Sequence, residues 1–192
     1  VGVVLLDEDT GEVLAWRNQG RPVTDAPVYM AGEWMSDETV RVVSRAEALA
    51  AAEADVEAAL AHARGGECAD VWPAWKNAQR HVDDKSEWIR THDAEVRRER
   101  AGCLLAKVRN VDDLDARVLL ITEARRIDRK HPHLDDWAQP AADEAEALGD
   151  DHFAEEEWEA AYRAYTQALA VDPSRSWTRR RAEDARDYWL RI

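Results

Sequence analysis

The string His131-Pro132-His133-Leu134-Asp135-Asp136 places two imidazoles and two carboxylates within six residues, the donor types that hold zinc. Read as chemistry, His131, His133, Asp135 and Asp136 would hold a cation that activates water, and the chain would be a metal-dependent hydrolase. The plainer reading, which we prefer, is a Pro-containing loop between helices, with Asp135 or Asp136 capping the helix that carries Trp137. His152, beside Asp150, Asp151 and Glu155 to Glu157, reads in the same way as a solvated acidic face rather than a ligand set. Ser36, Ser44, Ser86, Ser174 and Ser176 lack a nucleophile-elbow context, and no Gly-rich run leads from a strand into a helix to cradle phosphate. Cys68 and Cys103 form no CxxC pair, so a metal knuckle is excluded. A disulfide framework is not expected, although a single bridge between them stays open. We assign no catalytic residue and expect no cofactor.

Residue types that make interfaces are better represented. Nine Trp stand against one Phe, so Trp takes over packing roles and some of these rings are candidate interface anchors. Between Asp143 and Glu159 lie nine acids and no Lys or Arg, whereas the last segment carries Arg175, Arg179, Arg180, Arg181, Arg186 and Arg191 against three acids. These two faces either attract one another within the chain, which is the favoured reading, or leave an Arg-rich end for an acidic partner. The candidate partner-binding residues are Trp177, Arg180, Arg181 and Trp189, with Phe153 beside them. Trp72 and Trp75, at helical i, i+3 spacing, are the remaining candidates, with core packing as the default for that pair.

The elements that must position these residues follow from length and patterning. At 192 residues, 34% charged and 45% hydrophobic, the chain is long enough for one domain with a true core. Its net charge of −14 argues against broad binding to nucleic acid or an anionic membrane, while leaving room for a local basic patch. No apolar run approaches the length of a membrane span. Arg outnumbers Lys 22 to 4 in an Ala-rich chain, a bias that fits a GC-rich genome. The chain opens on Val1 without an initiator Met, so we read it as processed, trimmed or part of something longer, and the compartment, cytoplasmic or periplasmic, stays open.

We expect a mainly α protein with a small N-terminal β-hairpin, in three parts: residues 1–43, 44–97 and 98–192. The run VGVVLLDEDTGEVLAW predicts the hairpin, turning at Asp7 to Gly11. An irregular segment follows, with short strands near Val28 to Met30 and Thr39 to Val43. Ser44 and Glu47 form a capping box for a helix whose Leu49, Ala52, Val56, Leu60 and Ala63 share a face until Gly65-Gly66 ends it. A second helical block spans 70–108, interrupted at 83–86, with Ser86 as N-cap. Further helices are expected at 112–130, 134–148, 157–171 and 175–190, with Asp172-Pro173-Ser174 as punctuation.

Residues 142–175 carry Leu148-Gly149, Trp158, Ala161, Tyr165, Ala168-Leu169 and Asp172-Pro173, and this segment resembles a tetratricopeptide repeat. The resemblance implies two antiparallel helices brought close by Gly149 and Ala161, and a groove that binds a peptide or partner helix. Glu156 departs from the pattern, standing where the turn commonly has Gly, so the turn is expected to shift or the helices partly to merge. A fainter echo at 98–131 uses Ala101, Leu104, Leu105, Val108, Leu114, Ile121, Ala124 and Ile127, with Arg117 and Arg129 departing from it. The two units are offset by 44 residues, Ala124 to Ala168, so about ten residues are inserted near 132–141 relative to the usual repeat. Helix 175–190 would cap the stack. The resemblance covers about half the chain and implies an adaptor or assembly subunit with a protein partner, or a structural subunit buried in a large complex. The 131–136 string resembles the HxHxDH loop of metallo-β-lactamase-type hydrolases, with Asp136 in place of the last His, but this chain cannot build that family's sheet sandwich. VVLLDEDTGEVLA resembles the hairpin that opens the transpeptidase domain of penicillin-binding proteins, though no Ser-x-x-Lys or Lys-Thr-Gly accompanies it.

Overall fold

In a computed structural model the described residues, 45–82 and 87–191, are mainly helical. The expected hairpin and irregular segment, residues 1–43, fall outside them, as do the two proposed caps Ser44 and Ser86. Seven helices occur among the described residues: α1 (Arg45–Arg64), α2 (Val71–Arg80), α3 (Glu87–Val108), α4 (Leu114–Ile127), α5 (Leu134–Ala154), α6 (Trp158–Val171) and α7 (Ser176–Trp189). The chain divides into two units, residues 1–59 with 72–93 and residues 60–71 with 94–192.

In the first unit α1 buries Ala48, Ala52, Val56 and Ala59, positions that recur at the helical period. Leu49, expected on this face, is partly exposed, because Ala48 one position earlier falls on the centre of the buried stripe. Trp75 of α2 is wholly buried, 6.1 Å from the Trp88 ring centroid, and its indole N–H donates to Asp93 Oδ1 at 3.2 Å. A buried indole needs such an acceptor.

In the second unit Cys68 and Cys103 form a disulfide across 35 residues. Ala101, Leu104, Leu105 and Val108 of α3 are buried, and α4 buries Val118, Ile121 and Ala124. Asp113 caps α4, accepting the Ala116 N–H at 2.8 Å. The extra residues near 132–141 form no long loop: from Leu134 onward they are the first two turns of a 21-residue α5.

Two helices end in the same motif. After α1 the Glu67 N–H reaches the His62 carbonyl (2.8 Å), and the Gly66 N–H reaches that of Ala63 (3.2 Å). After α5 the Glu157 N–H reaches His152 (2.9 Å) and the Glu156 N–H reaches Phe153 (3.3 Å). These are Schellman closures, which require a left-handed residue just past the helix. Gly66 supplies it at φ 81°, and Glu156 supplies it at φ 64°. The turn is therefore neither shifted nor lost, as the Gly-to-Glu departure had led us to expect. Glu156 takes this strained conformation where the two closing hydrogen bonds and the His152 Nδ1 to Glu157 Oε2 contact at 2.6 Å hold the helix end. Glu156→Gly should remove that strain and raise stability by about 0.5–1 kcal/mol, the left-handed penalty less glycine's extra entropy, as read from urea denaturation.

Helices α5 and α6 form a hairpin around this turn. An added Cβ on Gly149 would lie 2.6 Å from the Tyr165 ring, so the bare glycine is what lets the ring seat against α5. Buried Ala161, Tyr165, Ala182 and Ala185 form a core cluster, with Phe153, Tyr162 and Leu169 packed around it. Helix α7 packs against α6 and is tied to α5 by side chains alone, Arg175 and Thr178 near the start of α7 reaching Glu146 and Arg181 approaching Asp150 further along, so α7 runs parallel to α5. Three helices thus alternate in direction, each small-residue stripe facing the next helix.

Candidate functional site

The acidic and Arg-rich segments meet within the chain. Arg175 donates to Glu146 (2.9 Å), Asp143 (2.6 Å) and Asp172 (3.1 Å), and buried Thr178 donates to the same Glu146 oxygen at 2.7 Å. Burial opposes the Arg175 charge, but these carboxylates outweigh it and raise its pKa above the ordinary value. Burial likewise pushes the Asp172 carboxyl up, yet hydrogen bonds from the Ser174 hydroxyl and N–H and from Arg175 hold it below the usual range. This cluster ties the α6–α7 connection to α5 and offers nothing to a partner.

Arg181 is also largely engaged. Its guanidinium lies 4.4 Å from the Phe153 centroid and 5.3 Å from that of Trp177, with Nε 3.7 Å from Asp150. Such a cation between two rings contributes about 0.5–1 kcal/mol per contact at a half-exposed site. Arg180, one residue earlier, points to solvent.

What remains exposed on α7 is aromatic and apolar: Trp177 at 57%, Tyr188 at 46%, Trp189 at 39%, and Leu190 just beyond. Tyr188 stacks on Trp158 at 4.7 Å and meets Phe153 edge-on at 6.0 Å, and Trp189 lies 6.2 Å from Tyr162. Tyr188 and Trp189 are each held by another ring and Trp177 by the Arg181 guanidinium, which limits the entropy lost when a partner covers them. Of the candidates, Arg181 joins Trp177 to Phe153, while Trp189 meets Tyr162 at the far end of α7 and Arg180 is exposed with no ring contact. Tyr188, Trp158 and Leu190 belong with them and were missed; Tyr188, adjacent to Trp189, was the signal available.

Trp72 and Trp75 do not share a common exposed face. Trp75 as a partner-binding residue is corrected by its complete burial and its bond to Asp93, while Trp72 is half-buried.

The 131–136 string does not converge on a point. His133 Nδ1 contacts Asp136 Oδ2 at 3.0 Å, and the His133 N–H donates to His131 Nδ1 at 3.3 Å, turning that nitrogen toward its own backbone. His131 Nε2 would lie 3.2 Å from a Cβ built on Gly102, so its ring packs over α3. Its burial lowers its pKa, against the pull of Asp128. Neither Asp135 nor Asp136 makes the expected capping bond; both lie in the first turn of α5, where the helix dipole favours their charge. Among the described residues, sets of three ligand atoms within 4.8 Å of one another occur instead at His62, Glu67, Asp70 and at His152, Glu155, Glu157, the two Schellman ends. Both are exposed clasps of a helix terminus.

Among the described residues no helix is long and apolar enough to cross a membrane. Compared with known proteins, the chain matches no family model, no curated sequence and no solved structure.

Proposed function

We propose that the chain is a non-catalytic protein–protein interaction adaptor or assembly subunit, built on a tetratricopeptide-like array in which α5 and α6 form one repeat and α7 covers it. Its partner is a protein, held by Trp177, Trp189 and Arg180 together with Tyr188 and Leu190. The observation that carries this reading is the exposed surface of α7. Trp177 stays 57% exposed, beside further exposed aromatic and Arg side chains, in a helix whose inner face is already satisfied. Isolated exposed apolar residues need no explanation, but Trp, Tyr and Arg exposed together along one short helix are the types that dominate binding energy. The close approach of Tyr165 to Gly149 and the left-handed turn at Glu156 support the repeat assignment. The N-terminal hairpin belongs to the same reading, as a sheet edge that can accept a strand from another chain.

The test pairs capture from the host lysate with light scattering, metal analysis and circular dichroism. A stoichiometric protein partner is expected for the native chain, with Trp177→Ala/Arg180→Ala weakening capture by about 30-fold or more while helix content is unchanged. A monodisperse, partnerless protein carrying bound metal would overturn this and revive the hydrolase reading at His131, His133, Asp135 and Asp136.

A further inference from the structure

The long-range charge of the chain is strongly negative, yet three arginines gather without an acid. Arg125 and Arg126 in the last turn of α4, Arg129 just past it, Thr122 one turn earlier and Pro173 between α6 and α7 line an open cleft of about 480 Å3. Three other arginines of this unit are engaged with carboxylates, Arg100 with Glu123, Arg117 with Glu144 and Arg175 with three acids, and Arg109 lies over the Trp137 ring. Among the described residues no hydrogen bond or ion pair joins Arg125, Arg126 or Arg129 to any acid. The acids flanking the cleft are turned to their own loops: Asp128 accepts the Lys130 N–H, and Asp172 accepts from Ser174 and Arg175.

A helix C-terminus favours one or two cations, which accounts for part of this clustering. It does not account for three guanidinium groups converging, with Thr122 and distant Pro173, on one open cleft. Arg129 is also where the fainter repeat departs from its apolar pattern, exchanging a packing residue for a charge.

We propose that this cleft binds a small molecule bearing phosphate. Guanidinium forks match phosphate oxygens with paired hydrogen bonds, and a triple positive charge suits a dianion or trianion. The volume falls within the range of small-molecule pockets and exceeds what inorganic phosphate fills. Pro173 and the aliphatic stems of the arginines offer an apolar wall for an organic body.

Calorimetry on the full chain, with pyrophosphate and a hexose monophosphate as probes and sodium chloride at matched ionic strength as the control, tests this. At least one probe should bind saturably with Kd below about 1 mM. Arg125→Gln/Arg129→Gln should weaken binding by about tenfold or more, with unchanged circular dichroism. Should the double variant fail to fold, exposed Arg126→Gln carries the test, with a loss of about threefold expected. Tighter binding of the hexose ester than of pyrophosphate would identify the organic body as part of the ligand; the reverse would identify phosphate alone. No saturable heat from either probe, or equal heat in the folded variants, would overturn the proposal.

Discussion

Reducing the Cys68–Cys103 bond is expected to lower the stability of the second unit by about 3–4 kcal/mol, a large share of the roughly 5–15 kcal/mol that holds a domain together. The estimate follows from chain entropy. The bridge closes a loop of 35 residues, and a denatured chain so tied has far fewer conformations to gain. Both cysteines are nearly buried, at 3% and 6% exposure, so reduction under native conditions should be slow and the effect should emerge as the protein unfolds. Urea denaturation with and without dithiothreitol measures it. The midpoint should fall sharply in reductant, while the Cys68→Ala/Cys103→Ala variant should be equally weak in both conditions. An unchanged midpoint in the native chain would show that the bond contributes nothing.

Replacing Tyr165 should cost about as much. Its ring is wholly buried on Gly149, and its hydroxyl donates to Asp150 Oδ1 at 2.6 Å. Burial, reinforced by the bond to Asp150, pushes the phenol pKa well up, so the proton stays in place throughout the ordinary pH range. Tyr165→Ala opens a cavity between α5 and α6 and should lower stability by about 3–5 kcal/mol. Tyr165→Phe removes the hydrogen bond alone and should cost about 1 kcal/mol. Gly149→Ala drives a methyl to 2.6 Å from the ring and should cost about 1–3 kcal/mol by overpacking. The double variant Gly149→Ala/Tyr165→Ala is the decisive comparison. If the methyl fills part of the cavity, the two losses will sum to more than the double variant shows. Strict additivity would mean that the two residues do not meet.

Helix positions were legible because they depend on neighbours within a turn or two. The stop at Gly66 follows from a residue that takes positive φ freely, and the break before α7 from Pro173. The tetratricopeptide resemblance implied that Gly149 and Ala161 let two helices approach, and the Tyr165 ring does seat on Gly149. Even so, Leu49 was placed on the wrong side of the α1 stripe, since composition does not reveal which of two adjacent apolar residues a partner surface will cover. Glu156 misled for a related reason: local propensity disfavours a left-handed glutamate, and only the closing hydrogen bonds of the helix end override it.

The candidate site was less legible than the fold. Trp177 and Trp189 could be nominated by type, but their exposure depends on which face of α7 turns toward α5 and α6. The same applies to the arginines. Sequence placed six of them against nine acids, and the structure then separates Arg175, held by three carboxylates, and Arg181, held between rings, from exposed Arg180. Two imidazoles and two carboxylates within six residues looked like a metal loop, but proximity along the chain does not aim lone pairs at a common point.

By itself the sequence determined the mainly helical class and the order and approximate limits of the helices among the described residues. Each of these rests on local periodicity, turn chemistry and side-chain size. Tertiary structure alone decided the Cys68–Cys103 pairing, the burial of Trp75, the parallel run of α7 beside α5, and the union of Arg125, Arg126 and Arg129 with distant Pro173 around one cleft. These depend on which surfaces meet after the helices form, and chain spacing leaves that choice free.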